Sequence, residues 1–133
     1  MKTLLTIFTL VFTVMFSFTS WGEWTKVLED GAGNTYYLDF ERARKDEEYI
    51  YVWSLLDRNK PNHLGYFSTQ TYRKIDCTLS RFKVLRFSFH EAAMGRGNSR
   101  TLITKKPVWV YPTSNSSNEF TLKSACNRPA EQK

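Results

Sequence analysis

The chain has 133 residues, a net charge of +6 and 16% aromatic residues. That length fits one domain. Two cysteines without a C-x-x-C spacing argue against a dithiol oxidoreductase. Two isolated histidines, His63 and His90, lack the clustering that a zinc or acid–base site needs.

Lys2 and the free amino group precede an apolar run, Leu4 to Phe18, broken only by Thr6, Thr9, Thr13 and Ser17. Ser20-Trp21-Gly22 then puts small residues one and three places before a cut ahead of Glu23. This is the order of a secretory signal. The competing reading is an uncleaved anchor, because Leu4 to Trp21 is 18 uncharged residues, the lower edge of a spanning helix. Export with cleavage is the expectation: 1–22 signal peptide, 23–126 folded domain, 127–133 disordered tail, and no transmembrane span after cleavage. Cleavage lowers the charge from +6 to +5. Such a modest excess suits plain solubility, or an anionic partner such as a sulfated glycan, a membrane surface or an acidic protein.

Cys77 and Cys126 both fall in the exported part, where an even pair normally oxidises; the alternative is two buried free thiols. Their bridge would close a loop of about 50 residues, for which the chain-entropy account gives roughly 4 kcal/mol.

Along the mature chain, aromatics recur with period two, the signal of strands. Trp24 to Glu29 and Thr35 to Phe40 form a predicted hairpin about the Asp30-Gly31-Ala32-Gly33-Asn34 turn, since Gly and Asn take positive φ at low cost. Glu41 to Glu48 is charged and reads as a short helical turn. Tyr49 to Leu56 is the clearest strand: Tyr49, Tyr51, Trp53 and Leu55 face one way, Ile50, Val52, Ser54 and Leu56 the other. Both faces are largely apolar, which places it centrally. Asn59-Lys60-Pro61-Asn62 breaks it.

Tyr66 to Cys77 follows, with Phe67, Thr69, Thr71, Arg73, Ile75 and Cys77 on one side, and then Arg81 to His90. Thr78 to Ser80 is either the turn between them or a bend in one long strand. Glu91 to Arg100 reads as a loop. Thr101 to Thr104 and Pro107 to Tyr111 form an interrupted edge strand, which accommodates Pro107 because proline cannot donate to a ladder. From Ser116 two readings compete. Ser116 and Glu119 make a capping box for a short helix to Cys126, while Phe120 and Leu122 alternate as in a strand.

The chemistry-bearing signals are sparse. Gly95-Arg96-Gly97 lacks the pattern of a phosphate loop and reads as an ordinary loop. Asn115-Ser116-Ser117 matches an N-glycosylation acceptor, relevant only in a eukaryotic secretory route. His90 beside Glu91 is the remainder on which an enzyme would have to rest. Tyr72, Arg73, Lys74, Arg81, Lys83 and Arg86 cluster around Cys77 and mix cations with aromatics. Alternation puts Arg81 and Lys83 on one face and Arg86 on the other. This set is either a solvated sheet face or a patch for a protein or sulfated glycan; export argues against nucleic acid. No cofactor is expected.

Four features in order resemble the bacterial surface-adhesin protein E-like domain family: Trp24, Tyr36-Tyr37-Leu38-Asp39, Val52-Trp53-Ser54-Leu55-Leu56-Asp57, and Ile75-Asp76-Cys77 with Arg81 and Lys83 after it. Ser124-Ala125-Cys126 closes the match. The resemblance implies an α+β, mainly β fold: an antiparallel sheet of about six strands and a C-terminal helix pinned by Cys77–Cys126. It also implies a non-enzymatic adhesin-like function toward host matrix or plasma proteins, with the binding segment around the first cysteine, here Tyr72 to Arg86. The family's named adhesin is a lipoprotein anchored through a cysteine. This chain has no cysteine before Cys77, so a soluble periplasmic or secreted protein stands beside surface display. A periplasmic structural role, with copies joined through a sheet edge, is the alternative.

Overall fold

The computed structural model describes residues 23–127. The signal segment expected at 1–22 lies outside them, as does all of the expected tail except Asn127, which is instead the last residue of the C-terminal helix.

Seven strands form one antiparallel sheet. They are β1 (Thr25–Glu29), β2 (Thr35–Leu38), β3 (Arg44–Asp46), β4 (Tyr49–Asp57), β5 (Ser68–Asp76), β6 (Arg81–His90) and β7 (Ser99–Ile103). The order across the sheet is β1-β2-β4-β5-β6-β7, with β3 also paired to β4. β2 and β3 share one edge of β4, β2 along Ser54–Asp57 and β3 along Tyr49–Tyr51. The connections are tight turns between β3 and β4 and between β5 and β6, and longer loops between β4 and β5 and between β6 and β7.

The helical turn expected at Glu41 to Glu48 is absent. Arg44–Asp46 pairs with Tyr49–Tyr51 instead, through a tight turn at Glu47 and Glu48. Glu47 sits at φ 57, the left-handed region that a two-residue hairpin loop demands. Glu does not advertise that conformation, which is why the sequence hid the turn and a strand with it. Thr78–Ser80 is a turn rather than a bend: Ser80 takes φ 51, and the Asp76 carboxylate accepts the Leu79 N–H at 3.2 Å. The expected edge strand is interrupted as foreseen. β7 pairs with Arg86–His90, and Val110 rejoins the same edge in a single bridge to Phe82.

Alternation gives β4 and β5 two distinct faces. Ile50, Val52 and Ile75 lie on one, with Leu38 and Phe82, and all are buried. Helix α1 (Ser117–Asn127) covers part of this face and packs on β1, β2 and β4. Its Leu122 and Ala125 join the core. Half of the capping box forms: Ser116 Oγ accepts the Glu119 N–H at 3.2 Å, whereas the Glu119 carboxylate reaches one residue further back, to the Asn115 N–H at 3.1 Å, and the Ser116 N–H donates to the Thr113 carbonyl. Cys126 in the last turn is bonded to Cys77, with S–S 2.06 Å and Cα–Cα 5.8 Å. The helix is therefore fixed by burial near its middle and a covalent bond near its end.

The opposite face carries Tyr49, Tyr51, Trp53, Tyr72 and Lys74. One end of it is closed by a single 3₁₀ turn, Ala93–Gly95. Here Met94 N–H donates to Asp57 Oδ1 at 2.9 Å and Gly95 N–H to Ser68 Oγ at 2.9 Å. Gly95 has φ 71, a conformation that favours glycine, and a Cβ there would stand 2.3 Å from the Gln70 amide nitrogen, so the end of the Gln70 side chain would have to move aside. The other end of this face is open.

Candidate functional site: a cation–aromatic face

β5 and β6 place the basic stretch. Lys74 stands directly opposite Lys83, and Asp76 opposite Arg81. Between Tyr72 and Arg73 the register shifts by one, so Tyr72 faces Arg86 while Arg73 faces Val84. Leu85 is the extra residue of this bulge. Its effect is functional: simple alternation sends Arg86 to the far face, and the bulge returns it to the side of Lys83 and Arg81. Four expected cations, Lys74, Arg81, Lys83 and Arg86, therefore share one surface with Tyr72.

Arg73 is the exception. It projects to the helix side, donating from Nε to Ser54 Oγ at 3.1 Å and from Nη1 to Asn118 Oδ1 at 3.1 Å. The expected patch is split by the sheet.

On the open face the cations lie over rings. Lys74 Nζ is 4.2 Å from the centre of the Tyr49 ring. Arg81 and Lys83 both lie over Trp109, at 4.1 and 4.5 Å. Arg44 of β3 covers Tyr51 at 4.8 Å, and Arg42 bridges Trp24 and Trp53 at 5.8 Å from each. Tyr72 joins the set through Trp53, ring centres 4.9 Å apart, and Tyr49 meets Trp109 at 5.8 Å. Among the described residues, all but one of the cation–π contacts belong to this face; the exception is Arg73 over Phe82. Three of them bring the cation within 4.5 Å of a ring centre, Lys74 over Tyr49 and Arg81 and Lys83 over Trp109, and these mark the face out.

Acids lie among these cations: Asp46 stands opposite Tyr49, and Asp76 opposite both Tyr49 and Arg81. Arg81 Nε donates to Asp76 Oδ2 at 2.9 Å. Burial pushes the Asp76 carboxyl up, but hydrogen bonds from Arg81 and Leu79 outweigh that and hold it below its ordinary value. The same bond to Asp76 raises Arg81. Lys74, Lys83 and Arg86 take part in no ion pair among the described residues.

Tyr49, Tyr51, Arg44 and Trp109 were not legible as site residues. Alternation put both tyrosines on the correct face of their strand, but nothing local joins them to Trp109. That residue arrives through the Val110–Phe82 bridge.

His63 is exposed in a loop. His90 is 8% exposed, and neither ring nitrogen has a hydrogen-bond partner among the described residues. Glu91, next along the chain, is exposed and bound to Asn98. No group of three or more His, Cys, Asp or Glu among the described residues is placed to hold a metal. No helix among them is long and apolar enough to cross a membrane.

No curated protein sequence matches this chain. Solved structures do. Crystal form II of Haemophilus influenzae protein E superposes with a TM-score of 0.65 at 14% identity, over 82% of this chain and 91% of that one. A selenomethionine form of the same protein gives 0.65 at 12%, over 85% and 92%. Protein E from non-typeable Haemophilus influenzae gives 0.57 at 13%, over 83% and 79%. At such identities the likeness speaks for the fold. The sequence profile of the surface-adhesin protein E family matches residues 24–127, and on that match the chain belongs to the surface-adhesin protein E family.

Proposed function

We propose that this domain is an exported, non-enzymatic binding module whose open sheet face engages an acidic or sulfated partner. One observation carries the reading: Lys74 and Lys83 face each other directly across β5 and β6, and among the described residues no carboxylate is paired to either. Like charges directly opposite weaken a sheet pair, so the arrangement works against folding and favours an anion arriving from outside. The rings beneath hold the ammonium groups extended, which lowers the ordering cost when a partner binds. Family membership supports the adhesin-like role. Export rests on the signal-like sequence of residues 1–22.

Heparin serves as the test ligand. The protein binds it, and binding weakens as salt rises past about 0.1 M, where the screening length is about 10 Å. Replacing Lys74, Lys83 and Arg86 by Ala abolishes most of that affinity. Arg81 is left in place because it neutralises Asp76. A triple variant that bound heparin as the parent does would end this assignment.

A second reading has its own observation. β7 is exposed throughout, with Leu102 and Ile103 at 45% and 68%, and no further strand pairs with its outer edge among the described residues. Such an edge invites pairing with another copy, as a periplasmic structural protein would use. Sedimentation that gave a strict monomer at high concentration would remove it.

A further inference from the structure

The helix side of the sheet is only half covered. Beyond the first turn of α1 it opens into a cavity of about 490 Å³, within the range of ordinary small-molecule sites. Thr69 and Thr71 form its floor, and Phe82, Phe87 and Phe89 of β6 line one wall. Two guanidinium groups enter it. Arg73 comes from the middle of β5, opposite Val52; Arg58 follows the last residue of β4. Six residues of extended chain, roughly 20 Å, separate these two positions.

Both arginines have only neutral hydrogen-bond partners. Arg73 is held by Ser54 and Asn118, and its guanidinium carbon lies 4.7 Å from the centre of the Phe82 ring. Arg58 donates from Nη2 to Thr69 Oγ1 at 2.9 Å and from Nη1 to the Tyr66 carbonyl at 3.5 Å. No carboxylate lines the cavity, and neither arginine joins an ion pair among the described residues. A guanidinium has five N–H donors, so each keeps donors to spare. Loss of water pushes Arg73 down to about 10 and lowers Arg58 as well. Arg73 is still charged at neutral pH. A desolvated charge without a counter-charge is costly, and Met or Leu at position 73 would fill the space without that cost. What the cavity lacks is an anion, and its aromatic wall suits an apolar body.

We infer that this cavity binds a small organic carboxylate with an apolar body, the carboxylate meeting the free donors of Arg73 and the body lying along Phe82, Phe87 and Phe89. Planar two-point pairing is the geometry in which a guanidinium reads a carboxylate. The site lies on the other side of the sheet from Lys74 and Lys83, so it stands or falls apart from the heparin-binding face.

The test titrates the exported protein with decanoate, decyl phosphate and decanol, following the Arg73 Nε–H signal by nitrogen–proton NMR. Decanoate saturates and moves that signal, and decanol binds at least tenfold more weakly. Arg73→Met weakens decanoate at least tenfold, whereas Lys74→Ala with Lys83→Ala leaves it unchanged. Decanol binding as tightly as decanoate, a stationary Arg73 signal, or binding of the phosphate alone each overturns the inference. The Arg73 signal of the unaltered protein decides the matter even where the Met variant fails to fold.

Discussion

The two faces of the sheet treat positive charge in opposite ways. On the open face Lys74, Lys83 and Arg81 spread over Tyr49 and Trp109, half-buried at their stems with their heads at the surface. On the helix face Arg73 is drawn inward, tied to Ser54 and Asn118, and deprived of water. Residues 73 and 74 are neighbours in sequence; the pleat sends them to opposite faces, and α1 makes those faces different. A basic stretch read as one patch is thus divided between two environments with different physics. One is an exposed, screened surface suited to a large anionic partner; the other is a low-dielectric cavity suited to a small one.

The comparison can be broken most forcefully at the disulfide. Replacing Cys77 and Cys126 by Ser costs about 4 kcal/mol by chain entropy, measured by urea unfolding. The loss falls on the helix side: the pinned end of α1 is released and the apolar face beneath it binds a hydrophobic dye. Near-ultraviolet dichroism from the Trp109 and Tyr49 cluster persists in native buffer, because that cluster makes no use of α1.

Leu122→Ala is next. Leu122 is 5% exposed and packs into the main core, so truncation costs about 2–5 kcal/mol. Trp109→Ala is its counterpart on the open face. It removes the ring beneath Arg81 and Lys83, at about 0.5–1 kcal/mol per exposed contact. Heparin affinity falls in the Trp109 variant and holds in the Leu122 variant under folding conditions. Equal effects on affinity would erase the distinction between the faces.

His90 gives a smaller, pH-dependent effect. It is buried opposite Ser68, and desolvation lowers its pKa below 6.5. The unfolded chain therefore takes up the proton more readily than the folded one, and stability falls as pH drops through about 6.5 toward the folded value. Unfolding at pH 7 and pH 5.5 shows a loss in the parent that His90→Leu reduces. Smallest of all is Arg73→Met. Ser54 Oγ keeps its bond to the Thr71 carbonyl and Asn118 is exposed, so no buried group is orphaned. Thermal stability shifts by less than about 1 kcal/mol.

Local chemistry alone determined a good deal. Period-two alternation located β4 and β6 almost to the residue, because a strand's two faces differ in solvent. Gly and Asn around Gly33, which takes φ 85, marked the first hairpin. Ser116 and Glu119 marked the start of α1, because the cap bond from the Glu119 N–H to Ser116 Oγ closes within four residues. The two cysteines, both lying after the signal-like segment, marked the staple.

Other features depended on contacts that no window of sequence contains. The β3 hairpin turns on a left-handed glutamate. The bulge at Leu85 exists because β5 and β6 must pair at both ends with unequal lengths between, and it alone brings Arg86 to the cationic face. Trp109 reaches Lys83 because the chain returns to the edge of β6 at Val110. The inward course of Arg73 was settled by which face α1 covers. Strand identity is set by neighbours in the chain; register, and hence which charges meet, is set by partners across the sheet.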